Sequence, residues 1–163
     1  MGGISSVSTK KTVNEIEFEL NEIDRLLDLY RIELLELKTV PNPVELIALA
    51  GVLHSFYCGI EKIFEIIAKR VDKKVPCDLN WHKTLLFQMA EMNELREPVI
   101  SSYSADELLE YLGFRHFYRH SYSSHLKWSE MEHLVKRIQQ TWEKVKAEVS
   151  IFINSIRDTQ INS

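Results

Sequence analysis

Val13, Ile16, Leu20, Ile23, Leu27, Tyr30, Leu34 and Leu37 recur in steps of three and four. That spacing lines them along one side of an α-helix, whereas the side chains on one face of a strand repeat every second residue. A stripe of this length cannot be left in water, so the first helix demands partners of comparable length. Thr12 with Glu15 reads as a capping box, which places the helix at about 13–38. A second stripe of Leu46, Ala50, Leu53, Tyr57, Ile60, Phe64, Ile67 and Val71 places another at about 43–72. Here Asn42 is the cap, Pro43 takes the first helical position and Glu45 closes the box. The short connection around Pro41 and Pro43 should turn these two helices into an antiparallel pair.

The same periodicity continues. A shorter helix is expected near 81–95 on Trp81, Leu85, Met89 and Met92, closed by Pro98. Ser104 with Glu107 should open a fourth, running through Leu108, Tyr111 and Leu112 toward His125. Ser129 with Glu132 should open a fifth, striped with Met131, Leu134, Ile138, Trp142, Val145, Val149, Phe152 and Ile156. The period never settles at two, so no sheet is expected, and the fold class is all-α: an up-and-down helical bundle of four main helices plus one shorter helix. The 163 residues suit one domain, expected over 12–158, with a disordered leader at 1–11 and a flexible tail at 159–163. The opening MGGISS fits the start of a myristoylation pattern but has no polybasic patch beside it. The most apolar run, VELIALAGVLHSFYCGI, carries Glu45 and His54 and reads as a buried helix, so no membrane partner is expected. Cys58 and Cys77 make neither a disulfide framework nor a metal spacing and fit a reducing cytoplasm.

The net charge of −4 argues against a general nucleic-acid coat, but the charge is unevenly spread. Residues 12–37 hold eight acids and two basic residues; residues 114–137 hold five Lys or Arg against two Glu, with four of the six histidines. The centre of that second segment is LGFRHFYRHSYSSH, residues 112–125. On a helix Arg115, Arg119 and Tyr122 fall on nearly one face, and His116 lies on the side of His120. Arg115 and His120 sit about 140° apart around the axis at 100° per residue. Either the helix is distorted there or a second copy of it supplies the facing half of a site.

Arginine beside imidazole suits a phosphodiester. The guanidinium offers a fixed fork of donors to phosphate oxygens, and imidazole exchanges protons near neutral pH. Tyr122 can donate to a phosphate or stack on an unpaired base. With no carboxylate within the cluster, a Mg²⁺ site has little support, and RNA is favoured because its own 2′-hydroxyl is a built-in nucleophile. Plainer readings stand beside this one. His116 and His120 at i, i+4 also match half of a zinc site, with His125 or Cys77 as a third ligand. A solvated face containing Arg and His is another option, and it covers His125 and His133. His54 and His82 read as satisfied structural histidines.

RHFYRHSY, preceded by LLEYLGF and, further upstream, by DLNWHKTLLFQMA and REPVIS, resembles the Arg, four residues, His, one residue, Tyr motif of the HepT-like branch of the HEPN superfamily. The resemblance spans about 12–157. It implies a small helical bundle acting as a metal-independent RNA endonuclease without cofactors, the toxin of a toxin–antitoxin pair. Arg115 and His120 would be catalytic. Arg119, Tyr122 and His116 would bind RNA phosphates, with Tyr122 also a possible AMP-modification site. Many relatives carry asparagine where this chain has His116. The implied partners are a second copy of the chain, whose motif faces the first across a cleft, and a nucleotidyltransferase antitoxin of the MNT type. The same resemblance leaves open a non-catalytic module or antitoxin-like partner of such a nucleotidyltransferase.

Overall fold

The computed structural model describes residues 6–161, with side chains to residue 159. It is 81% helical and, among the described residues, without strands. The elements are α1 (Ser6–Tyr30), α2 (Pro43–Ile67), α3 (Trp81–Ala90), α4 (Ser102–His120) and α5 (Trp128–Ile161). α1 and α2 each end in a wider π-helical turn, Arg31–Leu35 and Ala68–Asp72. A single 3₁₀ turn, Ser123–His125, lies between α4 and α5.

α2 is the central rod and packs against the four other helices. Its start is built as the sequence indicates. Asn42 Oδ1 accepts from the amides of Val44 and Glu45, and Glu45 Oε2 accepts from the Asn42 amide. The pairing of α1 with α2 is antiparallel, since Glu15 meets Arg70 while Ile23 meets Gly59. α5 returns along both α1 and α4. Asp24 accepts from the Trp142 indole and from Lys146, and Glu107 of α4 accepts from Arg137 and Lys144. Most residues of the apolar stripes named from the sequence line one continuous core, with Leu53, Tyr57, Ile60, Phe64 and Val145 fully buried, but Tyr30, at the end of α1, and Met92, beyond the end of α3, are exposed. The span Pro43–Asp72, read from the sequence as a buried helix, is by length and composition alone also long and apolar enough to cross a membrane. In the fold its apolar side is covered by the other helices.

Several helix bounds differ from expectation, most of them for a local reason. α1 begins at Ser6, inside the expected leader, and Thr12 caps nothing. Its Oγ1 donates to the Ser8 carbonyl a turn upstream, so the helix continues through it. Residues 1–5 of that leader lie outside the described residues. The cap of α4 lies three residues before the expected one, because Ser101 and not Ser104 accepts from an N3 amide, that of Ser104 itself. α3 stops at Ala90, short of residue 95. Its terminal carbonyls are claimed by later residues: Arg96 donates to Gln88 and Glu91, and the amides of Val99 and Ile100 donate to Met89. α5 continues to Ile161, into the expected tail.

Candidate active site

Leu108, Tyr111, Leu112 and Phe114 bury the inner face of α4, and the Tyr111 hydroxyl fixes that face by donating 2.8 Å to the Leu134 carbonyl of α5. This clamps the phase of the helix. Arg115 therefore turns toward α2 with its side chain only 12% exposed, while His116, Arg119 and His120 face outward. Arg119 and His120 form the last turn, where positive charge is favoured by the partial negative charge of the unpaired carbonyls.

Arg115 meets two groups one turn apart on α2. Its Nε donates to Cys58 Sγ at 3.3 Å, and its Nη2 lies 3.4 Å from Glu61 Oε1. Burial works against the guanidinium charge, but the Cys58 contact and the Glu61 carboxylate outweigh it and raise the Arg115 pKa further. The other oxygen of Glu61 accepts from His82 Nδ1 at 2.7 Å, joining α3 to the cluster. Trp81 stacks on that imidazole with ring centroids 3.6 Å apart. Glu61 itself is buried, and the Tyr57 hydroxyl one turn before it is buried without a hydrogen-bond partner. Burial first, then the Glu61 charge, pushes the Tyr57 pKa far above its usual value, so the phenol remains protonated.

One turn earlier on α2, His54 stacks on Tyr118 at 4.7 Å and lies 3.6 Å from Cys58 through Nε2. Its Nδ1 is buried without a partner. Burial, then Arg115 and Arg119, lowers its pKa and keeps it neutral. Glu19, Glu22, Lys62 and Gly59 complete a shallow groove beside this pair.

The five residues named from the sequence are thus only partly gathered. His116 and His120 lie together, with rings 4.5 Å apart and His120 Nδ1 donating to the His116 carbonyl. Arg115 and His120 belong to one regular helix and so point about 140° apart, without the distortion that would join them. Tyr122 does not share a helical face with Arg115 and Arg119. The helix ends at His120, and Tyr122 sits 80% exposed in front of the 3₁₀ turn, edge-on to His125. Among the described residues no group of three His, Cys, Asp or Glu is arranged to hold a metal ion.

Sequence reasoning missed Glu61, Cys58 and the part played by His82. The expectation of a cluster without a carboxylate is corrected by Glu61, which arrives from a different helix. A signal was present: an acid in phase with the core stripe, between Ile60 and Phe64, needs a cationic partner when buried. Arg96 of the REPVIS segment, by contrast, is structural, with its side chain enclosed against Asp72.

Residues 48–156 match a family model described as HepT-like protein. No curated protein and no solved structure matches the chain significantly.

Proposed function

The chain belongs to the HepT-like protein family, within the HEPN superfamily, and from that premise we propose that it is a metal-independent RNA endonuclease and the toxin of a toxin–antitoxin pair. The observation that carries this reading is the end of α4, where an anchored guanidinium, Arg115, is followed by exposed His116, Arg119 and His120. His120 serves in proton transfer, as general base toward the attacking 2′-hydroxyl or as general acid toward the leaving 5′-oxygen, and Arg115 stabilises the charge that develops on the phosphorane oxygens. Arg119, His116 and Tyr122 hold flanking phosphates or bases. The product ends are a 2′,3′-cyclic phosphate and a 5′-hydroxyl. Because the nucleophile belongs to the substrate, the reaction needs no metal to activate water.

The active form is a homodimer in which the α4 ends of two copies face a shared cleft, since the 140° between Arg115 and His120 leaves each chain with half a site on either flank. The cognate partner is an MNT-type nucleotidyltransferase, and the exposed Tyr122 hydroxyl is the acceptor for AMP. A second reading, a non-catalytic module that docks such a nucleotidyltransferase, is favoured by the engagement of Arg115 with Cys58 and Glu61.

Digestion of RNA by the purified chain separates the two. Cleavage that persists in EDTA and yields cyclic phosphate ends is expected. His120→Ala should reduce the rate by roughly 10²–10⁴ with fold and dimer retained. Arg115→Ala should weaken both cleavage and RNA binding. Leu112→Ala, a change within the core, should cost about 2–5 kcal/mol in stability yet leave activity per folded dimer unchanged. A wild-type rate in His120→Ala would remove His120 from the catalytic assignment, and absence of cleavage by the wild-type chain would transfer support to the binding module.

A further inference from the structure

We propose that His82 is a second catalytic imidazole of this site, acting as general base through Nε2 with Glu61 as its orienting carboxylate; the inference rests on the ribonuclease reading. In-line transesterification needs two proton transfers: one from the 2′-hydroxyl as its oxygen bonds to phosphorus, and one to the 5′-oxygen as its bond to phosphorus breaks. Within one chain the motif supplies Arg115 and His120 on divergent sides of α4. The imidazole that shares the carboxylate of Arg115 is His82, not His120.

The geometry is that of a base held by an acid. Glu61 Oε2 accepts from His82 Nδ1 at 2.7 Å, which fixes the tautomer and leaves the Nε2 lone pair free. The carboxylate is enclosed, with its side chain 6% exposed, while the His82 side chain is 26% exposed and so reaches the surface. Trp81 covers one face of the ring and restricts its rotation. The imidazolium formed on proton abstraction is stabilised by the Glu61 charge, the role a buried carboxylate plays for a catalytic histidine in acyl transfer. The Arg115 guanidinium on the other oxygen then stands at the phosphate whose neighbouring hydroxyl His82 deprotonates.

The atoms balance without a further reactant. His82 Nε2 takes the 2′-hydroxyl proton, the 2′-oxygen forms a bond to phosphorus, the bond from phosphorus to the 5′-oxygen breaks, and protonated His120 of either copy delivers a proton to the leaving oxygen. Nothing is oxidised or reduced, and solvent returns the two imidazoles to their starting states.

A structural histidine that merely satisfies Glu61 would give the same static picture, so the test must separate the hydrogen bond from the proton transfer. His82→Asn retains an amide N–H at the position of Nδ1 and removes Nε2. On a short RNA, its single-turnover rate per folded dimer should fall by at least about 10²-fold, with RNA affinity and melting temperature near wild type. His82→Ala should regain part of its rate when free imidazole is added, and the wild type should not respond. A His82→Asn rate within about threefold of wild type, or no imidazole response in His82→Ala, overturns the assignment while leaving the nuclease reading intact. Absence of cleavage by the wild-type dimer overturns the nuclease reading and this inference with it.

Discussion

Arg96 and Asp72 face each other as a two-pronged ion pair, Nε to Oδ1 and Nη2 to Oδ2 each at 2.7 Å, with side chains 3% and 2% exposed. The guanidinium also donates to the carbonyls of Gln88, Glu91 and Glu97, so one side chain ties the end of α2 to the end of α3 and to the loop after it. Removing one partner leaves an uncompensated buried charge. Asp72→Ala should therefore cost about 3–5 kcal/mol in urea unfolding, far more than an exposed pair such as Arg25 with Glu22. A loss below about 1 kcal/mol would mean that water reaches the pair.

Glu61→Gln keeps the size of the side chain and removes the charge that holds Arg115 and polarises His82. Misplacement of the guanidinium should lower kcat by about 10²-fold with KM little changed, because on the proposed reading the exposed Arg119 and His116 would still bind the flanking phosphates. Single-turnover rates at saturating RNA measure this directly. A loss confined to KM would assign Glu61 to binding.

Glu107 gives the acid limb of stability a local source. Burial opposes its ionisation, but hydrogen bonds from Arg137 and Lys144 outweigh that effect and hold its pKa below the usual value of 4.5. With the folded pKa depressed, the unfolded chain binds the proton more readily. The contribution is fully present above the usual value and is lost as pH falls through the folded one. Glu107→Gln should flatten the fall in melting temperature across that acidic window and lower stability near neutral pH, as read by thermal melts at several pH values.

At Gly59 a methyl group would stand 2.7 Å from Cγ1 and 3.0 Å from Cδ1 of Ile23 on α1. Helix propensity favours Gly59→Ala by about 1 kcal/mol, whereas overpacking costs about 1–3 kcal/mol. The clash involves an atom close to the Ile23 backbone, so the second effect should win with a net loss on the order of 1 kcal/mol. Gly51→Ala is the control, since no atom lies within 4 Å of a methyl group there, and it should not lose stability.

The legible parts of this fold are those written in contiguous residues. Asn42, Pro43 and Glu45 announced the start of α2 because every contact of that cap lies within three residues. Glu107 misled for the opposite reason. It stands three residues after a serine, as a capping box requires, yet its carboxylate is taken by Arg137 and Lys144 on a helix that only the tertiary fold brings near. The candidate site divides in the same way. Arg115, His116, Arg119 and His120 are visible as one run, whereas Glu61 and His82 become its neighbours only when α2 and α3 pack beside α4. No spacing along the chain encodes that meeting.

α2 carries the candidate site and the core on one rod, with Cys58 and Glu61 on the flank that meets Arg115 and Leu53, Ile60 and Phe64 in the interior. One residue inserted between Cys58 and Glu61 would rotate everything beyond it by about 100°. Either the carboxylate leaves the arginine or the apolar residues leave the interior, and no rotation satisfies both. Evolution can therefore lengthen the loops around residues 36–42 and 73–80, but the stretch from His54 to Ile67 can drift only by substitution, never by a change of length.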